Sequence, residues 1–254
     1  MRWFYCFLLF GLLFTGLLSG AAHAQSKTFT NSFDMEFVLI PAGKFITILG
    51  SNEFDEAITR VVTISKPFYL GKYEVTQAQW TAVTGNNPSY HQGWKQPVER
   101  VSWFEVINFI RELNRKEGGG KYRLPTEAEW EHAARAGTGT KWFFGNDSAA
   151  LGEYAWFEDN SSKTTHPVGE KKPNPWGLYD IYGNVWEWVM DTYEEYQPGE
   201  VTDPTGAEHG SYKVYRGGSG MFEAERCRSA YREWNPPEEH GRGLGFRLAF
   251  SPGQ

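Results

Sequence analysis

Only one cysteine, Cys227, stands outside the first 24 residues of this 254-residue chain. The other, Cys6, lies in an apolar run from Trp3 to Leu18 that follows one charge, Arg2, and leads to Ala22-His23-Ala24. A charged start, an apolar middle and a small-x-small end form the pattern of a secretory signal peptide, here cleaved after Ala24. The run falls short of the roughly 20 residues a membrane span needs, and Gly11 and Gly16 weaken it further. Cys6 sits at the start of the run and not at its end, so it is not a lipoprotein cysteine. The chain is therefore expected to be exported, periplasmic or secreted, and to fold as one domain over residues 25–254 without an internal disulfide. A lone thiol also cannot build a multi-thiolate zinc site.

Aromatic packing is left to supply the core. The chain holds 11 Trp, 13 Tyr and 18 Phe, alongside 28 Gly and 13 Pro, a composition rich in turns and irregular loops. The formal charge is −6, and removing residues 1–24 takes away one cation and no anion. That argues against a general nucleic-acid binder, which shows a basic face. No later apolar stretch is long enough to embed the chain in a membrane. There are no repeats, and Gly118-Gly119-Gly120 is too short to link two domains.

Helices announce themselves by punctuation. Thr76 with Gln79, Ser102 with Glu105 and Thr126 with Glu129 each form the capping-box pattern, and glycines at 85, 118 and 137 stop the runs. The spacing predicts short helices over 76–84, 103–116 and 127–136. Strands are expected over Glu36–Ile40, Lys44–Ile48, Arg60–Ile64, Phe68–Leu70, Lys213–Arg216 and Gly245–Phe250. Residues 138–212 show few periodic signals. A region this long without them is either functional or irregular structure held by aromatic packing.

An ordered set of motifs then resembles a known family. It runs through Phe37-Val38-Leu39-Ile40-Pro41-Ala42-Gly43, Tyr73-Glu74-Val75-Thr76 and Val101-Ser102-Trp103. It continues with Arg123-Leu124-Pro125-Thr126-Glu127-Ala128-Glu129-Trp130-Glu131 and Gly177-Leu178-Tyr179-Asp180-Ile181. Gly183-Asn184-Val185-Trp186-Glu187-Trp188, Arg216-Gly217-Gly218-Ser219 and Gly245-Phe246-Arg247 complete it. The chain resembles the sulfatase-modifying-factor, or formylglycine-generating-enzyme, family over nearly all of residues 25–254. The resemblance implies an α+β, C-type-lectin-like fold with little regular secondary structure, a twisted antiparallel sheet and about three short helices. That family also includes ligand-binding members, so the fold does not fix an activity.

The resemblance further implies a calcium site. In the family, the segment matching Asp180–Glu187 binds calcium through the side chains at Asp180 and Glu187 and the carbonyls at Gly183 and Val185. Oxygen ligands of this kind suit calcium. The rival reading has Asp180 capping a turn while Glu187 pairs with a core arginine.

The family's best-known reaction oxidises a substrate cysteine to formylglycine, using two enzyme cysteines that bind Cu(I), a soft ion that prefers thiolates. Counted from the glycines, the first copper cysteine falls on Phe222 and the second on Cys227. In the other registration, set by Arg228-Ser229-Ala230-Tyr231-Arg232, neither has a counterpart. In both the pair is broken, so copper is doubtful. The resemblance leaves Cys227, Ser219 and Trp186 as catalytic candidates, with Phe222, Glu238 and His240 near the pocket. The family's pocket asparagine falls on Gly243. Cys227 reads either as a buried small hydrophobe or as a thiol activated by Arg226 and Arg228. Glu238, Glu239 and His240 read either as an acid–base group or as a solvated turn after Pro236-Pro237. His91, His132, His166 and His209 show no metal-ligand spacing.

The expected function is oxidative modification or maturation of a peptide or small exported substrate, by chemistry diverged from the copper-dicysteine route. The alternatives are a non-catalytic binding module and a true sulfatase-activating formylglycine generator.

Overall fold

The computed structural model describes residues 27–51 and 57–252. The expected signal segment and Cys6 lie outside them. Among the described residues there are eleven strands, three α-helices and two short 3-10 helices. The strands are β1 (Thr28–Thr30), β2 (Glu36–Ile40), β3 (Gly43–Ser51), β4 (Ala57–Ile64), β5 (Phe68–Gly71) and β6 (Trp186–Thr192). They continue with β7 (Gly199–Thr202), β8 (Lys213–Arg216), β9 (Arg232–Asn235), β10 (Leu244–Gly245) and β11 (Ala249–Phe250). The helices are α1 (Gln77–Thr84), α2 (Trp103–Lys116) and α3 (Glu127–Arg135).

All three helices start where the capping boxes place them. Thr76, Ser102 and Thr126 each accept a hydrogen bond from the backbone N–H three residues on, and the Gln or Glu side chain at that position accepts one from the cap residue's own N–H. Each such cap stabilises its helix by about 1 kcal/mol. Helix α2 buries Val106, Phe109, Ile110 and Leu113 on one stripe, and Phe109 stacks on Trp80 of α1 at 5.0 Å.

The strands form three small sheets, ordered β1-β2-β5-β11, β10-β6-β8-β9 and β3-β4-β7. Pairing is mostly antiparallel, but β10 with β6 and β4 with β7 run parallel. Two expectations change in detail. The strand expected over Gly245–Phe250 is split, its ends joining different sheets, because Arg247 turns inward between them. The region 138–212 contains β6 and β7. Strand β6 is buried along six of its seven positions, so it lacks the polar/apolar alternation that marks a half-exposed strand.

Two apolar clusters fill the interior. One gathers Ile40, Phe68, Trp130, Trp142, Tyr182 and Cys227. The other gathers Phe37, Val106, Trp186, Trp188, Phe246 and Phe250. Helix α3 is held to its sheet by charge as well. Arg232 forks onto Glu127 at 2.9 and 2.7 Å, and Arg216 bonds Glu131 at 2.6 Å. Asp191 accepts the Glu127 N–H at 2.8 Å.

Burial, with repulsion from Glu127, pushes the Asp191 carboxyl up to about 8 from an ordinary 3.8. A carboxyl raised on folding stabilises the fold fully below its unfolded value and loses that contribution as pH climbs toward the folded value. Asp191→Asn keeps an oxygen for the Glu127 N–H and removes the titration. Urea unfolding from pH 5 to 8 should show wild-type stability falling, by at most about 1.4 kcal/mol per pH unit from this group. The variant should be flatter, and parallel profiles would contradict the assignment.

Candidate functional site

The turn after β8 forms around close backbone contacts. Arg216 is fully buried and donates to Glu131 and to the Ser229 and Ala230 carbonyls, which fixes the end of β8. Gly217 and Gly218 then take φ of 103° and 78°. A Cβ on Gly218 would fall 2.4 Å from the Cys227 sulfur, so only glycine lets the turn close over that side chain. Ser219, fully buried, accepts the Met221 N–H at 3.3 Å. A Cβ on Gly243 would lie 3.4 Å from Ser219 Oγ and 2.5 Å from Met221. The structure thus brings Ser219, Cys227, Met221 and Gly243 into one neighbourhood.

Cys227 ends the 3-10 helix Ala224–Cys227 and is fully buried. Its sulfur lies 4.0 Å from the Glu223 carbonyl oxygen. Burial, then the negative charge of Glu223, pushes the thiol up to about 12. The thiolate is the nucleophile and the metal ligand, and at neutral pH such a group is almost wholly protonated. The Arg226 guanidinium does not turn toward the sulfur. It pairs with Glu223 and Glu233, each at 2.9 Å, and covers the ring of Phe222. Phe222 packs at 5.7 Å on Trp186, which also meets Tyr215 and Tyr231. The position where the first copper cysteine was expected therefore carries a ring in an aromatic cluster.

Glu238 and His240 are exposed and belong to a different contact. His240 Nε2 lies 3.0 Å from Glu105 at the start of α2, and the Pro237 carbonyl accepts the Trp103 N–H. An exposed aromatic pair that sequence reasoning passed over lies closer to the turn. Gly243 donates to Glu99, whose other oxygen accepts the His91 and Tyr90 N–H groups. The Tyr90 ring, half exposed, lies 3.8 Å from the Arg242 guanidinium, and Trp94 is exposed nearby in sequence. The only signal for them was two aromatics in a polar loop with no periodicity.

The segment expected to bind calcium is built around a guanidinium. Glu187 Oε1 accepts from Arg247 Nη2 at 2.6 Å, and Oε2 accepts from Arg247 Nε at 2.7 Å and Trp130 Nε1 at 2.8 Å. Arg247 also donates to the Gly71, Tyr179 and Asp180 carbonyls. Asp180 sits at φ 50° and accepts the Gly169 N–H at 2.7 Å, while its Oδ1 is buried without a partner. Burial pushes its carboxyl up to about 6. A Cβ on Gly183 would fall 2.1 Å from the Trp156 carbonyl oxygen. Val185 donates its N–H to Glu74, a buried carboxylate the sequence reading left without a role. Burial, together with Asp180 and Glu187, holds the Glu74 carboxyl well above its ordinary value. Among the described residues, no group of three or more His, Cys, Asp or Glu is arranged to hold a metal. Of the two carboxylates expected to hold calcium, Asp180 keeps one oxygen open, while both Glu187 oxygens are engaged by Arg247 and Trp130.

The model for the "Sulfatase-modifying factor enzyme 1-like domain" matches residues 22–252. "Chaperone protein LppX" of Paenibacillus barcinonensis is 30% identical over 283 residues, covering 92% of this chain and 94% of that protein. The "Formylglycine-generating enzyme" of Thermomonospora curvata is 34% identical over 199 residues, covering 70% of this chain but 63% of the enzyme. Among solved structures, "Treponema denticola variable protein 1" superposes with a TM-score of 0.79 at 35% identity, covering 89% of this chain and 99% of that one.

Removing the charge from Glu187 should leave Arg247 buried and unpaired. Glu187→Gln is expected to cost about 3–5 kcal/mol in a chemical or thermal melt. Excess chelator added to the wild type should leave its midpoint in place. A chelator-induced drop would return calcium to Asp180 and its neighbours.

Proposed function

The chain belongs to the sulfatase-modifying factor enzyme 1-like family, and we propose that it is an exported maturation factor that works by binding a polypeptide or small exported substrate, without copper–thiolate oxidation. The observation that carries this reading is the sealed Cys227, protonated and buried under Gly218, with Phe222 packed on Trp186 beside it. A two-thiolate Cu(I) site needs a second cysteine, and the chain beyond residue 24 has none.

A relative named as a chaperone supports the same reading. The chain spans less than two thirds of the Thermomonospora enzyme but nearly all of the relative named as a chaperone. Its contact surface would be the rim beside Ser219 and Gly243, where Tyr90, Trp94 and Arg242 present exposed aromatic area with an adjacent cation. Exposed Trp, Tyr and Arg are the residues that most often anchor a protein partner. Among the described residues no helix is long and apolar enough to cross a membrane. Export rests on residues 1–24.

Two measurements test the proposal. Copper-loaded protein mixed with cysteine-containing peptides should consume no more oxygen than a Cys227→Ser control. A photo-crosslinker placed at Trp94 in the producing cell should trap an exported polypeptide in the periplasmic or secreted fraction, and Arg242→Ala should weaken that capture several-fold. Peptide-dependent oxygen uptake that disappears in Cys227→Ser would overturn the reading.

A further inference from the structure

A cavity of about 360 Å³ opens at the far end of β6 from the Ser219–Gly243 turn. Trp186 starts the strand by donating its N–H to the Gly243 carbonyl, and Met190, further along β6, lines the cavity. The β4–β5 turn, the start of α3 and the segment after β7 form its other walls. Pockets for small organic ligands run from roughly 300 to 1,000 Å³, so this one takes a molecule at the small end of that range. Its inner wall is apolar: Ile64, Phe68 and Leu124 are buried in the fold and line the space.

Its mouth carries balanced charge. Arg123 and Glu129 are joined by a two-bond fork at 2.6 and 2.7 Å, and Glu129 also takes the Thr126 N–H. Lys66 and Asp203 are not joined. Both are exposed, and among the described residues neither forms an ion pair. Asp203 instead accepts the Ser65 N–H at 2.8 Å and the Ser65 hydroxyl, which fixes its carboxylate beside the β4–β5 turn. Two cations and two carboxylates therefore line one opening. An anion entering it meets Glu129 and Asp203, and a cation meets Lys66 and Arg123; like charges brought together cost affinity. A molecule bearing both signs pairs with both and leaves its apolar part for the inner wall.

We propose that this cavity binds a small zwitterion with an apolar side chain, of the class of the free apolar α-amino acids. Lys66 takes the carboxylate and Asp203 the ammonium group, and the side chain lies against Phe68, Leu124 and Met190. The site is distinct from the Ser219–Gly243 rim and does not depend on the function proposed above.

The test is calorimetric titration of the full mature chain with L-leucine, L-methionine and L-phenylalanine. At least one of them should bind one-to-one at millimolar concentration or below. For the tightest of the three, the amide, which lacks the carboxylate, and the N-acetyl form, which lacks the ammonium group, should each bind about fivefold more weakly. Lys66→Gln should weaken the free amino acid by a similar factor and leave its amide unchanged. Asp203→Asn keeps an oxygen for Ser65 and tolerates the residue's φ of 47°. It should weaken the free amino acid and leave the N-acetyl form unchanged. The proposal is overturned if none of the three binds, or if the blocked forms bind as well as the free amino acid. It is overturned equally by a loss in Lys66→Gln that extends in full to the amide.

Discussion

The Arg247 guanidinium reaches Glu187 on β6 and the carbonyls of Gly71, Tyr179 and Asp180. One fully buried side chain thus ties the closing segment to two sheets and to the turn ahead of β6. Glu74, Asp180 and Glu187 are buried around it, and its charge favours the ionised forms of Glu74 and Asp180. Taking such groups from water is expensive unless each finds its partner, so other packings of these segments are penalised heavily. The split between β10 and β11 follows from the same requirement, since the chain must leave one sheet for the other with Arg247 pointing inward.

Among the described residues no disulfide staples the fold, and close approach takes the place of a crosslink. Gly183 lies where a side chain would meet Trp156, Gly218 where one would meet Cys227, and Gly245 where one would meet the Val98 carbonyl oxygen at 2.3 Å. Large rings fill the space beyond these contacts, among them Trp130, Trp142 and Trp188, each fully buried. The same packing decides the chemistry. A sulfur enclosed by a double-glycine turn is a filler of the core, and a phenylalanine on Trp186 leaves no ligand where a soft metal would need one.

Much of the fold was legible because its signals are local. Three capping boxes placed three helices to within a residue or two, since the cap and its reciprocal partner are adjacent in sequence. The family motifs gave the architecture. Strand β6 was hidden because burial on both faces erases alternation, and β7 because its pairing with β4 spans well over a hundred residues. At the site, the neighbourhood of Ser219, Cys227 and Gly243 could be placed from the motifs. A core arginine was foreseen for Glu187 as the rival to calcium, but which arginine could not be named, since Arg247 lies 60 residues away. Glu74, between β5 and α1, and Arg60, in β4, escaped for a similar reason: a lone charge does not reveal from sequence whether it faces water or the interior.

The accessibility of Cys227 tests the central claim most directly. Reaction with an aromatic disulfide reagent should be limited by global opening in the native protein and become immediate and stoichiometric, at one thiol per chain, in denaturant. Rapid native-state labelling, or tight binding of one cuprous ion that protects the thiol, would contradict a structural role for this cysteine.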